Sequence, residues 1–178
     1  GRAQMYGSVL SGGLAGHVYG TGAYDGNTTG ESWTEGERPY IWTALNYESG
    51  AQMQHLKTFM LSEGGAFQAC SPQRELLMPY KTPGAPEDGL DGWAYFLTNR
   101  ERDLGFIYFE NQCEVPKIGE LTADAEYELI WFDPINGDWL ESKTVSTNQY
   151  GVLQIDAFPG GETRSSRDWC LKIKQQQI

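Results

Sequence analysis

The sequence is poor in positive charge and in metal-binding side chains. Its 178 residues hold 13 lysines and arginines against 24 aspartates and glutamates, which gives a net charge of −11. Proteins that bind nucleic acids need lysine and arginine to displace counterions from phosphates, so this composition excludes that class of partner. The two histidines, His17 and His55, lie far apart and outside any ligand spacing, and no Cys-x-x-C motif occurs. The sequence therefore predicts no metal site and no cofactor.

Long apolar runs are also missing. No segment approaches the roughly 20 apolar residues of a membrane-spanning helix. The first residues, Gly1 to Tyr6, lack the charged-then-apolar pattern of a secretion signal, so we expect any such signal to be absent or already removed. Charged residues make up only 21% of the chain and apolar residues 39%, which favours a folded protein with one good core or two small ones.

Cysteine is scarce, and its number is odd. Cys70, Cys113 and Cys170 allow three different disulfides, each of which leaves one thiol over, and the sequence does not choose among them. Free cysteine packs as a small apolar side chain, so buried free thiols are the favoured interpretation. No arrangement typical of a cysteine nucleophile is visible.

What is present changes along the chain and divides it into three parts. Residues 1–65 are rich in glycine and predict a helix, a strand, a long loop and a second helix. Residues 66–92 form a connector punctuated by proline and glycine. Residues 93–178 contain short apolar or alternating runs, which predict an antiparallel β-sandwich. Its predicted strands are Trp93–Thr98, Leu104–Glu110, Tyr127–Phe132, Trp139–Val145, Val152–Phe158 and Trp169–Lys174.

Two local patterns in the sandwich are specific. Asn136-Gly137 stands between two predicted strands, which indicates a β-hairpin. The tryptophans Trp131, Trp139 and Trp169 fall within predicted strands, where core packing is favoured over a role as a binding platform.

The first part predicts helices over Arg2–Ser11 and Ser49–Ser62. Ser49 and Gln52 have the spacing of a capping box, and Gly64-Gly65 would end the second helix. That helix carries an apolar stripe typical of core packing, formed by Met53, Leu56, Phe59 and Met60. A short strand predicted over Ala15–Gly20 needs neighbouring strands for its hydrogen bonds. Residues 1–65 are therefore interpreted as the tail of a larger α/β domain.

Several segments, in this order, carry a family resemblance. They are YGSVLSGGLAGHVYG from Tyr6 to Gly20, WTAL from Trp42, GAQM from Gly50, LK from Leu56, WFDP from Trp131 with Gly137, and DWCL from Asp168. Together they resemble the apiosidase-like glycoside hydrolases, whose C-terminal β-sandwich is sometimes labelled a collagen-binding domain. The resemblance covers nearly the whole chain.

The resemblance implies an α/β plus all-β fold: the C-terminal end of a (β/α)8 TIM barrel followed by an antiparallel β-sandwich. It makes Arg2–Ser11 the seventh barrel helix, Gly16–Gly20 the eighth strand and Ser49–Ser62 the final helix. The two catalytic carboxylates of such an enzyme would precede Gly1, so no catalytic residue is assigned within this chain. The implied protein is a secreted or periplasmic hydrolase of plant or algal polysaccharide-derived glycans, whose partners are its carbohydrate substrate and the N-terminal polypeptide of the same enzyme.

Five residues are predicted to line the sugar subsite. His17 and Tyr19 would lie at the C-terminal end of the eighth strand, where barrel active sites are built. Tyr24, Asp25 and Trp33 belong to the loop that follows, which mixes aromatic and planar polar side chains as sugar binding requires. The alternatives are interior packing of His17 and Tyr19, and a solvated surface loop.

Two other functions stay open at this point. The first is a non-catalytic carbohydrate- or matrix-binding β-sandwich module to which residues 1–65 are appended. The second is a stand-alone hydrolase that uses Asp25, Glu31 or Glu35, although these loop residues have no rigid separation of the kind a glycosidase needs.

Overall fold

The computed structural model describes residues 1–14, 46–86 and 90–176. Helix α1 spans Arg2–Leu10 and helix α2 spans Glu48–Met60. The helix predicted over Arg2–Ser11 is thus confirmed to within one residue. The strand predicted over Ala15–Gly20 lies outside the described residues.

Helix α2 begins differently from its prediction. Its N-cap is Tyr47, which makes no side-chain capping bond, so Ser49 lies inside the first turn and the predicted capping box is wrong. The side chain of Gln52 accepts a hydrogen bond from Arg2 instead, because it faces α1 rather than its own helix start. The helix ends at Met60, before Gly64-Gly65, and a 3-10 helix over Gly64–Ala69 follows.

Ten short strands follow among the described residues, and each described pair is antiparallel. The strands are β1 (Cys70–Pro72), β2 (Leu77–Met78), β3 (Ala94–Asn99), β4 (Leu104–Phe109), β5 (Lys117–Ile118), β6 (Glu126–Asp133), β7 (Asp138–Trp139), β8 (Lys143–Ser146), β9 (Leu153–Gln154) and β10 (Trp169–Gln175). A seven-stranded sheet has the order β1-β3-β4-β10-β6-β7, with β8 also paired to β6, and a three-stranded sheet has the order β2-β5-β9.

The strand pattern matches the prediction in most places. The hairpin at Asn136-Gly137 is confirmed, since β6 pairs with β7 through Phe132 and Trp139, and Gly137 has a φ of 78°. The run predicted as one strand over Trp139–Val145 is two strands, because β7 and β8 pair with different ends of β6. Within the run Val152–Phe158, only β9 is a strand. The predicted connector contributes β1 and β2, while the division of the chain into domains stays a prediction.

One face of the large sheet packs against the small sheet. Residues from the two sheets share a continuous apolar core. From the large sheet come Phe96, Ile107, Phe109, Leu171 and Ile173, and from the small sheet come Leu77, Ile118 and Leu153. Gly105 allows this packing, since a Cβ there would lie 2.5 Å from the Phe96 ring. These two packed sheets are consistent with the predicted sandwich.

The other face of the large sheet packs against α1 and α2. Met5 and Tyr6 of α1, and Leu56, Phe59 and Met60 of α2, are buried there against residues of β3, β4, β6 and β10. The predicted stripe of α2 is therefore core. Since β4 is buried on both faces, its sequence is a continuous apolar run rather than an alternating one.

The cysteines and tryptophans occupy the predicted environments. Cys70, Cys113 and Cys170 are free and buried, which confirms the favoured interpretation. Trp169 is buried in the core between the sheets, and Trp131 and Trp139 pack against the cores on the two sides of the large sheet. Among the described helices, none is long and apolar enough to cross a membrane.

Candidate functional site at the junction of helices and sheet

The five residues predicted to line a sugar subsite, His17, Tyr19, Tyr24, Asp25 and Trp33, lie outside the described residues. Their role as a subsite stays a prediction. The same holds for the loop carboxylates Glu31 and Glu35 of the stand-alone hydrolase alternative. The described residues instead bring together a polar site that the residue patterns did not single out.

The centre of this site is an ion pair between Arg2 and Asp168. The Arg2 guanidinium donates to both carboxylate oxygens, with Nε 2.8 Å from Oδ2 and Nη2 2.9 Å from Oδ1. Its Nη1 donates to Oε1 of Gln52 at 2.7 Å, and the Tyr108 hydroxyl donates to Oδ2 of Asp168 at 3.0 Å. Planar, bidentate pairs of this kind are strong and fix orientation. We call these four residues the Arg2–Asp168 junction.

Four separate elements supply the Arg2–Asp168 junction. Arg2 is the first residue of α1, Gln52 lies in α2, Tyr108 lies in β4, and Asp168 directly precedes β10. Asp168 and Gln52 are each only 7% exposed. The hydrogen bond to Asp168 raises the pKa of Arg2, so the guanidinium is charged throughout the usual pH range. The arrangement therefore locks the two helices to the sheet in one register.

A layer of aromatic rings lies beneath the junction. Tyr6, one turn along α1 from Arg2, stacks on Tyr108 with ring centroids 4.8 Å apart. Phe59 of α2 packs edge-on against Phe106 at 5.5 Å and stacks on Phe132 at 5.5 Å. Burial raises the pKa of both tyrosine hydroxyls, so they stay protonated. Ring pairs at these distances add to the apolar burial and favour one geometry.

A second ion pair lies beside the first. The Arg167 guanidinium donates to Oδ1 of Asp133, and its Cζ lies 4.4 Å from the centroid of the Trp169 ring. Burial acts to raise the pKa of Asp133, but the backbone of Ile135, the amide of Asn136 and the charge of Arg167 together lower it. Asp133 is therefore an ionised carboxylate that holds the hairpin turn and Arg167 in place.

A cavity of about 470 Å³ opens between the two ion pairs. It is lined by Arg2, Gln52, Tyr108, Asn111, Arg167 and Asp168, among others. The carboxylate among its described lining residues is that of Asp168, which accepts hydrogen bonds from Arg2 and Tyr108. The described lining therefore does not present the pair of carboxylates that glycoside hydrolysis needs.

The other buried reactive groups of the described residues are structural. Burial raises the pKa of Cys70 to about 11 and raises those of Cys113 and Cys170 as well, so the thiols are not nucleophiles at neutral pH. Burial also raises the pKa of Glu110, whose carboxylate accepts from the Trp93 backbone N–H and the Tyr95 hydroxyl. Within residues 1–14, 46–86 and 90–176, no group of three or more metal-binding side chains occurs.

Residue patterns gave little warning of the Arg2–Asp168 junction. Asp168 stands in the DWCL segment, which was noted only for its family resemblance, and Gln52 was interpreted as a capping residue. The available signal was an acidic residue placed directly before an apolar strand, which the structure shows to be a central strand of the large sheet. Its partner lies 166 positions away in the sequence, so no local pattern connects the two.

This chain is similar to several solved structures, including two glycoside hydrolases, while no family model and no curated protein matches it. One is described as a glycoside hydrolase, with a TM-score of 0.67 and 20% sequence identity over 97% of this chain. The other is a family 5 glycoside hydrolase from Bacteroides vulgatus, with a TM-score of 0.49 and 17% identity over 76% of this chain. At such identities the first similarity shows the fold alone. The chain spans 36% of that first structure's length.

Proposed function

We propose that this chain is the C-terminal part of a glycoside hydrolase, in which α1 and α2 belong to the catalytic domain and the β-sandwich is fixed against them. The observation that carries the proposal is the reach of the similarity to a solved glycoside hydrolase. It covers 97% of this chain, and so includes helices and sandwich together, but only 36% of the other protein.

The Arg2–Asp168 junction supports the proposal that the β-sandwich is fixed against helices of the catalytic domain. Its partly buried, bidentate ion pair joins α1 to the residue directly before β10, and the aromatic layer beneath it is wholly apolar apart from tyrosine hydroxyls. Such a contact suits two parts of one enzyme that keep a fixed orientation. In the proposal, the sandwich supports the barrel wall to which α1 and α2 belong.

The chemistry would then come from outside the described residues. Two carboxylates upstream of this chain would act as acid/base and nucleophile, as in retaining glycosidases. His17 and Tyr19, together with Tyr24, Asp25 and Trp33 of the following loop, would bind the sugar. The substrate proposed is a plant or algal polysaccharide-derived glycan, and the enzyme would act in the periplasm or outside the cell.

The test is hydrolysis by the full-length polypeptide that contains this chain. Release of reducing ends is measured over a panel of plant and algal polysaccharides and their oligosaccharides. We expect turnover of at least one, and we expect His17→Ala to lower kcat/KM by about tenfold or more through loss of a sugar hydrogen bond. His55→Ala is the matched control, since His55 lies on α2 with its ring against Gly137 and its Nδ1 3.2 Å from the Pro134 carbonyl oxygen.

Two results would contradict the proposal. Equal losses in His17→Ala and His55→Ala would show that His17 has no particular place in the subsite. Tight binding of a glycan with no hydrolysis of any panel member would favour the non-catalytic binding module instead. Affinity electrophoresis on the same panel distinguishes that outcome from a protein that neither binds nor cleaves.

A further inference from the structure

An aromatic and cationic surface lies beside β2, away from the Arg2–Asp168 junction. We call it the Tyr80–Trp93 surface, and it consists of Arg74, Tyr80, Lys81 and Trp93. The two rings are nearly parallel, with an angle of 26° between their planes and 6.3 Å between their centroids. Tyr80 is 40% exposed and Trp93 is half-buried. A ligand in solution can therefore reach this surface.

Arg74 lies against both rings. Its Cζ is 5.3 Å from the Tyr80 centroid and 5.7 Å from the Trp93 centroid. Arg2 and Arg167 pair with carboxylates, whereas the Arg74 guanidinium forms no ion pair or hydrogen bond within residues 1–14, 46–86 and 90–176. A guanidinium that stacks on a ring keeps the N–H groups of its edge free to bind a carboxylate in bidentate fashion.

The surface is held rigidly from below. The Trp93 backbone N–H donates to Oε2 of Glu110 at 3.1 Å. Lys81 Nζ donates to the carbonyl oxygens of Pro86 and Asp91, both at 2.8 Å, and lies 4.6 Å from the Trp93 centroid. The Ala94 N–H donates to the Tyr80 carbonyl at 2.8 Å. A site that is already ordered loses less entropy when a ligand binds.

The charge of this surface is opposite to that of the chain. Arg74 and Lys81 place two cations on the rings of a protein whose net charge is −11. An adjoining open groove of about 520 Å³ is lined by Leu77, Met78, Pro79, Tyr80 and Lys81, with Glu75 as the carboxylate among its described lining residues. Glu87 and Asp88 lie outside the described residues. The described surface thus combines an apolar ring face with positive charge.

We propose that the Tyr80–Trp93 surface is an accessory binding site for a uronic acid residue of a polysaccharide. The carboxylate of the uronate would accept hydrogen bonds from the edge of the Arg74 guanidinium, and the C–H face of its ring would lie against Tyr80. This proposal rests on the proposed function in one respect, the carbohydrate nature of the ligand. A neutral sugar would gain only the ring contact.

The experiment measures binding of a galacturonic acid tetramer to the full-length protein by isothermal titration calorimetry. The methyl-esterified tetramer is the neutral probe of matched size. We expect the acid to bind about tenfold more tightly than the ester, with an advantage that falls as salt is raised. Arg74→Gln should weaken acid binding by about tenfold and leave ester binding unchanged. Glu75→Gln should tighten acid binding by about twofold, because it removes a like charge.

Arg100→Gln is the matched control. Arg100 is an exposed arginine in the turn after β3, and its substitution changes the net charge by the same amount. We expect its affinity for the acid to stay within about twofold of the parent, since screening weakens distant charges. Tyr80→Ala should weaken both probes by about fivefold through loss of the ring contact. If Arg74→Gln perturbs folding, Tyr80→Ala still tests whether the ligand binds at this surface.

Several outcomes would overturn the inference. They are absence of acid binding, equal binding of acid and ester, or equal losses in Arg74→Gln and Arg100→Gln. Inorganic phosphate or a tetraglutamate peptide that competes as well as the uronate would show a general anion site instead. Hydrolysis of the glycan panel without uronate binding would support the proposed function and contradict this inference. Uronate binding without hydrolysis of any panel member would support this inference and contradict the proposed function.

Discussion

The two faces of the seven-stranded sheet are both buried, but by different means. The face toward the small sheet is covered by aliphatic and aromatic side chains from residues 76–173. The face toward α1 and α2 has an equally apolar centre, but buried charges surround it. Arg2 pairs with Asp168 on this side, and Lys172, which is 6% exposed, pairs with Glu63 at 2.7 Å.

Alternate residues of a single strand, β10, belong to these two differently covered faces. In β10, Trp169, Leu171 and Ile173 point toward the small sheet, while Cys170 and Lys172 face the helices. Apolar contacts tolerate small shifts, whereas a bidentate ion pair holds only in one geometry. The difference teaches that the sheet-to-sheet core provides the cohesion of the sandwich, and that the helix-facing side fixes where α1 and α2 lie on it.

The largest loss of stability is expected when one buried phenylalanine is truncated to alanine on each face of the large sheet. Phe106→Ala on the helix face and Phe96→Ala on the small-sheet face each remove a fully buried ring, at a cost of about 3–5 kcal/mol. We expect Phe106→Ala to speed amide hydrogen exchange chiefly in α1 and α2, because the sandwich keeps its own core. We expect Phe96→Ala to speed exchange throughout the sheets. Mass spectrometry of exchange in both variants measures this, and identical exchange patterns would refute the division.

The next effect concerns the Arg2–Asp168 junction. Asp168→Asn leaves Arg2 partly buried without a counter-charge, so we expect a loss of stability of about 3 kcal/mol. The control is Asp156→Asn, whose pair with Lys143 is mostly exposed at 72% and 65% of the two side chains. There we expect less than about 0.5 kcal/mol, as is typical of surface pairs. Thermal and denaturant unfolding of both variants measures the gap, and a similar small loss in each would show that the junction contributes little.

A smaller effect distinguishes the two stacked tyrosines. Tyr108→Phe removes a buried hydroxyl that donates to the Asp168 carboxylate, with an expected loss of about 2 kcal/mol. Tyr6→Phe removes a buried hydroxyl whose polar neighbour is the thiol of Cys170, a weak hydrogen-bonding group, rather than a carboxylate. We expect that change to be neutral within about 0.5 kcal/mol, or slightly stabilising. Unfolding curves of the paired variants check it, and a larger loss for Tyr6→Phe would contradict the assignment of the junction.

The sequence predicted the apolar parts of this structure better than the polar ones. The helix over Arg2–Leu10, the stripe of α2 and most of the sandwich strands follow from local periodicity, which residues near in sequence determine. The capping box failed because Gln52 has a competing partner, Arg2, that only the tertiary structure brings near. The split between β7 and β8 depends on which end of β6 each strand meets.

The Arg2–Asp168 junction and the Tyr80–Trp93 surface escaped prediction for a related reason. Each joins residues from separate elements, and their side-chain types are also common on ordinary surfaces. The continuous apolar run of β4 fits burial on both faces, but no second covering layer was predicted from it, because the run does not say what lies against either face. The structure shows that α1 and α2 form that layer.

The smallest effect is a pH dependence on the helix face. Burial acts to raise the pKa of Glu63, but its hydrogen bonds to Lys172 and Lys174 outweigh it, so the pKa lies below its ordinary value of 4.5. A carboxylate with a lowered native pKa stabilises the fold above its unfolded value, and that stability is lost as the pH falls through the native value. We therefore expect Glu63→Gln to cost about 1 kcal/mol at pH 7 and progressively less below pH 4.5. The control is Glu120→Gln, which removes a carboxylate that is 66% exposed and forms an ion pair with Arg102. We expect this change to alter the free energy of unfolding little at either pH. If the unfolding curves of the parent and Glu63→Gln stay equally far apart from pH 7 to pH 3, the buried charges of the helix face do not act through Glu63, and Lys172 is held by its packing against Trp139 instead.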